Sequence, residues 1–401
     1  MDTIQFDSAV KARTGIFFPI YRLPFTVYRS SPVYRLLPAF YGLLLLATVG
    51  AAQEPHVVNA KMTTQSAAAG LASAFHAVEG GESGLAWIGY AVPSVPGNHQ
   101  MCCDVSVGEF SDNGCGRCRL EDRRGDSGDV AVNSSEKRVK LESSPYFLVL
   151  YRIAARKVTK VRTFSADCEL DVGGLPFVWL TDVRPPESVA WLTSLVNADH
   201  GGAPEDGDRD DDGHVSSAAL TAIALHGDVS AERALEAFAA AGQPERRREK
   251  AAFWLGAARG RPGYEALRRL VANDSSDHFR EKAVFALYVS KEPEAVDTII
   301  NVAHHDPAPH VRGQALFWLA QKAGKRAEAT ITEAIENDPE TDVKKKAVFA
   351  LSQLPKDEGV PLLIQVARTS HNPAVRKQAM FWLGQSQDPR ALAFFEQVLL
   401  H

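Results

Sequence analysis

Five phenylalanines stand at one constant interval along the second half of the chain: Phe253, Phe285, Phe317, Phe349 and Phe381. Other columns travel with them at fixed offsets. Two residues before each is an alanine (Ala251, Ala283, Ala315, Ala347, Ala379), and two after is a leucine (Leu255, Leu287, Leu319, Leu351, Leu383). Five before is a base: Arg248, Arg280, Arg312, Lys344, Arg376. Ten after is a small residue (Gly263, Ala295, Ala327, Gly359, Ala391), and fourteen after a large apolar one (Leu267, Ile299, Ile331, Leu363, Phe395). A degenerate copy precedes them in the same frame, with Ala219, Ile223, Ala231 and Leu235. A strict period of this length makes each copy one supersecondary unit, whose apolar arc is buried only by stacking on the next. A second period overlies the first: the residue after each phenylalanine is Trp254, Ala286, Trp318, Ala350 and Trp382, with Ala222 in phase. Large beside small keeps the volume between stacked helices constant.

Each copy reads as two helices, the first opening after a turn such as Asp306-Pro307 or Asn372-Pro373. Val311-Arg312 with Ala315 and Leu319, and Val375-Arg376 with Ala379 and Leu383, resemble the short HEAT repeats of the phycobilisome-lyase type. The resemblance spans residues 215–401 and implies a six-copy all-α solenoid whose Val-Arg helices line its concave side. The function it implies first is a non-enzymatic scaffold that binds a protein or peptide. The alternative is an accessory subunit of a chromophore-lyase-like enzyme. Deoxyhypusine hydroxylase is a HEAT enzyme that holds iron through His-Glu pairs, and none of the twelve histidines here is followed by Glu. His304-His305 is the only histidine cluster and reads as a surface turn. The basic column has two readings, an anion-binding stripe or a structural ladder, with Asp274, Asp306 and Asp338 as partners recurring at the same period.

On a helical wheel of about 100° per residue with Val311 at zero, Ala315 falls at about 40° and Leu319 at about 80°, which sets the core direction. Phe317 falls at about 240°, away from the core. Trp318 falls at about 340°, beside the core and facing a neighbouring helix. Phe253, Phe285, Phe317, Phe349 and Phe381 are therefore the candidate partner-binding residues. They form either a ladder of exposed rings, one per copy, or a row in which each ring tucks against the next copy.

Residues 56–198 read as a small α+β unit with an antiparallel sheet, so the whole chain is expected to be multidomain, α+β followed by solenoid. An Ala-rich segment from Ala60 to Val78 predicts a helix. Leu85–Val92, Tyr146–Ala154, Val158–Phe164 and Pro176–Leu180 predict strands, and Pro185-Pro186 opens a helix to about Val196. Residues 98–144 read as a long polar loop.

All five cysteines, Cys102, Cys103, Cys115, Cys118 and Cys168, precede the repeats. Disulfides, a metal site and free thiols are all open readings, and disulfides fit an oxidising address. Such an address is suggested by residues 1–52, where five bases precede an apolar run from Leu36 to Ala52 that ends in small residues. A cleaved export signal, a membrane anchor and a buried helix all fit that pattern. The first two place the folded chain in the periplasm or cell envelope. Residues 199–214 form an acidic linker. In it Asp208, Asp210 and Asp212 match the first half of a calcium loop, but Ala219 stands where the bidentate Glu belongs. The formal net charge of −5 gives no field for a nucleic acid, and no motif calls for a cofactor.

Overall fold

The computed structural model describes residues 54–80, 84–97, 100–102, 105–107, 114–115, 118–121, 139–140, 144–198 and 215–400. The export-signal segment, the acidic linker with Asp208, Asp210 and Asp212, Cys103, and the side chains of Cys102 and Cys115 lie outside the described residues.

The first region contains strands β1 (His56–Val58), β2 (Lys61–Ser66) and β3 (Leu85–Pro93), with helix α1 (Leu71–Glu79) between the last two. Five short strands follow: β4 (Gln100–Cys102), β5 (Val105–Val107), β6 (Gly114–Cys115), β7 (Cys118–Arg119) and β8 (Val139–Lys140). Then come β9 (Tyr146–Ala154), β10 (Lys157–Ser165), β11 (Glu169–Asp171), β12 (Pro176–Thr181) and helix α2 (Pro185–Ala198). The main sheet has the order β10-β9-β3-β12-β2.

Strands β3 and β9 are apolar on both faces because both faces are covered, as expected of central strands. On one side Ile88, Tyr90, Phe147, Val149 and Tyr151 share a core with α1, α2 and the first repeat. On the other, Trp87, Leu148, Leu150, Phe177 and Trp179 pack with Cys118, Leu120, Cys168 and Leu170. A Cβ on Gly89 would stand 2.5 Å from a methyl of Leu150 and 3.0 Å from the Phe177 ring, so these side chains fill the space that the glycine leaves on this face of β3. Tyr90 Oη lies 2.6 Å from Tyr151 Oη and 2.9 Å from Ser188 Oγ, a buried hydroxyl cluster that locks α2 to the sheet. Burial pushes the Tyr90 phenol up to about 12.

Three expectations are corrected. Residues 61–66 are a strand, not the start of a helix; β-branched Thr63 and Thr64 pair with β12, and the helix begins only after Gly70. The sheet is mixed, because β12 runs parallel to both β3 and β2 while β3, β9 and β10 are antiparallel. The long polar segment also contributes short strand pairs, β4 with β5 and β6 with β8.

The second region is six helix pairs: α3 (Val215–Leu225) with α4 (Ser230–Ala239), α5 (Glu245–Ala258) with α6 (Gly260–Asn273), α7 (Asp277–Val289) with α8 (Ala295–His305), α9 (Pro309–Ala323) with α10 (Glu328–Asn337), α11 (Thr341–Ser352) with α12 (Lys356–Thr369), and α13 (Pro373–Gln385) with α14 (Pro389–Leu400). The alanine and leucine columns are buried throughout. Of the fourteenth-position column only Phe395 is partly exposed, since no seventh copy covers it among the described residues.

The basic column is a structural ladder. Arg280 grips Asp306 with two bonds (Nε–Oδ2 2.7 Å, Nη2–Oδ1 2.9 Å), and Arg312 grips Asp338 in the same way (2.8 and 3.0 Å). Arg248 bonds Asp274. The second amino group of Arg280 and of Arg312 binds the backbone oxygen of the preceding aspartate, Asp274 or Asp306, at 2.9 Å. Each aspartate also accepts a backbone N–H in the turn that opens the next helix. Further along, Lys344 bonds the Glu336 carbonyl near the end of α10, and Arg376 the Ser370 carbonyl after α12.

The two regions share one apolar cluster. At their junction His226 is fully buried and bridges to Ser94. Its Nδ1 accepts the Asp228 N–H, and its carbonyl accepts from Arg259. Burial pushes its pKa down to about 4, with Asp228 opposing and Arg259 assisting.

Candidate partner-binding surface

The first helices of the copies, α5, α7, α9, α11 and α13, pack side by side, and their alanines and leucines point into the core. The phenylalanine column consequently lies on the opposite side of each helix. Four of its rings are half-buried and the last, Phe381, is 53% exposed.

The reason for the half-burial is that the rings cover one another. Phe253 stacks on Phe285 at 6.1 Å between centroids, and Phe317 on Phe349 at 5.7 Å with planes 3° apart. Between these stacked pairs the tryptophans serve as links. Trp318 lies 4.9 Å from Phe285 and 4.8 Å from Phe317; Trp382 lies 4.9 Å from Phe349 and 5.0 Å from Phe381. Trp254 closes the row against Phe253 at 5.2 Å. The result is an unbroken ribbon, Trp254-Phe253-Phe285-Trp318-Phe317-Phe349-Trp382-Phe381, across five copies. Phe253, Phe285, Phe317 and Phe349 thus follow the reading in which each ring tucks against a neighbouring copy, and only Phe381 of the column keeps the exposure of the other reading.

The Trp/Ala alternation has a geometric cause. Ala286 and Ala350 are fully buried where Trp would stand in their copies, and Trp318 and Trp382 reach back over α7 and α11 to the preceding ring. Gly256 serves the same approach, since a Cβ there would collide with the Ala286 carbonyl on α7. Tyr288, which the period does not predict, lies 4.6 Å from Trp318 and 6.1 Å from Phe285, and widens the ribbon. The indole N–H groups of Trp254, Trp318 and Trp382 are buried with no acceptor among the described residues.

Charges flank the ribbon unevenly. One turn before Phe253 and Phe285 stand Glu249 and Glu281, whereas Lys345 and Lys377 take that column before Phe349 and Phe381. At the lysine end a groove of about 670 Å³ opens between α9, α11 and α13, lined by His310, Asp342, Lys345, Lys346, Phe349 and Trp382. At the acidic end His278 contacts Glu249 at 3.1 Å and Glu245 at 3.8 Å. This cluster is hard to see in the sequence because its members come from different copies; only the recurrence of acid, acid and histidine one period later hints at it.

The other sequence candidates are not brought to this surface. Cys118 and Cys168 are buried behind the sheet. His304 and His305 end α8, a second helix, with His304 4.0 Å from Glu333.

Residues 328–401 match the family model for HEAT repeats. No curated protein matches the chain. Among solved structures, human deoxyhypusine hydroxylase is 16% identical over 53% of this chain and 90% of its own, with a TM-score of 0.27. The CpcE–CpcF complex of the phycocyanin lyase from a Nostoc species is 24% identical over 39% of this chain and 99% of its own, at 0.31. The karyopherin Kap121p is 13% identical over 50% of this chain and 25% of its own, at 0.32.

Proposed function

We propose that the HEAT-repeat array of this chain is a protein-binding scaffold, and that its aromatic ribbon takes an extended segment of a protein partner. The observation that carries this is the ribbon itself, five half-buried or exposed phenylalanine rings on the side of the first helices away from the core, joined by three tryptophans that pack against the core's edge. Surface apolar runs of this extent mark interaction sites, and aromatic rings are favoured anchors. Apolar side chains of the partner would lie on the rings. Its carboxylates would meet Lys346 beside the groove, where Lys345 is paired with Asp342 at 2.9 Å, while Glu249 and Glu281 at the other end disfavour a nucleic acid along the ribbon. The chain acts by binding and not by catalysis on this reading.

Selection of a random displayed peptide library on the full chain tests it. Enriched peptides are expected to combine aromatic or aliphatic residues with acids, and to bind the Phe349→Ala/Phe381→Ala variant at least tenfold more weakly. Peptides that bind both proteins equally would contradict the reading. A coloured ligand carried through purification would favour the chromophore-lyase-like alternative instead.

We propose also that the chain is exported to the periplasm or cell envelope, since the basic, apolar and small residues of 1–52 follow the order of an export signal. The mature chain is then expected to begin near Ala52 or Gln53. A chain still starting at Met1 and released only by detergent would mean an anchor. In the same compartment Cys118 would join another cysteine of its segment, and five free thiols in non-reducing mass mapping would contradict that.

A further inference from the structure

Glu245 and Glu249 stand one turn apart on α5, and the first turn of α7 brings His278 against them. One ligand atom from each of the three lies within 4.8 Å of the other two. The 3.1 Å between His278 Nε2 and Glu249 is a hydrogen bond, but the 3.8 Å to Glu245 is beyond hydrogen-bond reach. A tetrahedral zinc ion with bonds of about 2.0–2.1 Å sets its ligand atoms about 3.3 Å apart, between these two separations. The spacing of the glutamates turns both carboxylates to one side of the helix, which two ligands of one ion require. Imidazole with two carboxylates is a donor set for zinc; calcium and magnesium take oxygen alone.

The arrangement recurs. Asp277, Glu281 and His310 hold the same columns one copy further on, and His310 Nε2 lies 3.7 Å from Asp277 and 3.8 Å from Glu281. In the next copy Pro309, Gly313 and Asp342 occupy these columns and the pattern ends. Acid, acid and histidine thus stand in register across two helix interfaces, and in the first of them the three ligand atoms close to within 4.8 Å of one another.

We propose that Glu245, Glu249 and His278 form a zinc site that ties α5 to α7 at the acidic end of the ribbon, with water completing the coordination. The site stands whether or not the ribbon binds a peptide. Calorimetric titration of zinc chloride into the untagged full chain, stripped with a chelator beforehand, tests it. His278→Ala and Glu249→Gln are each expected to bind one equivalent fewer than the unmodified chain. His304→Ala/His305→Ala, on a second helix, is expected to keep the full stoichiometry. His278 and Glu249 lie on the helix surface, so circular dichroism in chelator should show both variants folded, and zinc should raise the melting temperature less in them than in the unmodified chain. Full stoichiometry in either the His278 or the Glu249 variant, or loss of an equivalent in the His304/His305 variant, would overturn the proposal.

Discussion

The sheet and the helix array solve the same problem with different contacts. In the sheet, partners are far apart in the chain and each contact occurs once: Ser66 bonds Asp182 across 116 residues, and β2 lies on β12. In the array, contacts recur at short intervals. The Arg–Asp bridges span 26 residues every time, and the ribbon's Phe–Phe stacks link neighbouring copies. A one-dimensional stack is stabilised copy by copy, whereas a sheet with non-local pairing is held or lost together. The difference teaches where a mutation will be felt.

The largest expected effect breaks the ladder. Asp306→Ala leaves the Arg280 guanidinium buried without its carboxylate, which costs about 3–5 kcal/mol. Hydrogen exchange should rise in α7 to α10 and leave β3 and β9 protected. A uniform rise over the sheet and array would show that the two regions unfold as one and that the contrast is wrong.

Next comes the junction. His226 is neutral in the fold, and its pKa lies below that of the unfolded chain, from 6.5 to about 4. For a base depressed in this way the unfolded state binds the extra proton. The stability is therefore complete above pH 6.5 and is lost as the pH falls towards 4. Two and a half units correspond to about 3 kcal/mol. Denaturant melts between pH 7 and 4 check this, and His226→Gln should flatten the profile in that window. An unchanged slope in the variant would assign the loss to the carboxylates, among which the Arg312 bridge holds Asp338 below its usual range although burial opposes it.

Legibility in the sequence follows the same contrast. Every repeat column is a local, periodic constraint, so Ala315, Leu319 and Phe317 reveal their sides of the helix without a structure. The buried strands β3 and β9 are legible as continuous apolar runs. Strand β2 is not, because Lys61–Ser66 is polar, alanines flank it, and only its distant partner β12 makes it a strand. Within the ribbon the phenylalanines and tryptophans are announced by their period, while Tyr288 occurs once and is not. The glutamate–histidine cluster is hidden since its members are joined across copies.

The smallest effect belongs to the sheet. Ala155 and Arg156 form the β9–β10 turn with φ of 48° and 63°, conformations that suit Asn and Gly. Ala155→Asn/Arg156→Gly should stabilise the chain by about 1 kcal/mol. Because that hairpin belongs to a non-local unit, the gain should spread over the whole sheet in hydrogen exchange; a gain confined to the turn would count against the cooperativity assigned to it.

The central claim is that the array meets its partner on the ring-bearing face. Replacing Phe381 by a photo-reactive phenylalanine analogue, and in a second strain Glu333 on helix α10, tests it in the cell. Glu333 is comparably exposed but belongs to a second helix, away from the rings. Irradiation should give a discrete protein adduct from position 381 and none from position 333. No adduct at 381, or equal adducts at both positions, would contradict the account.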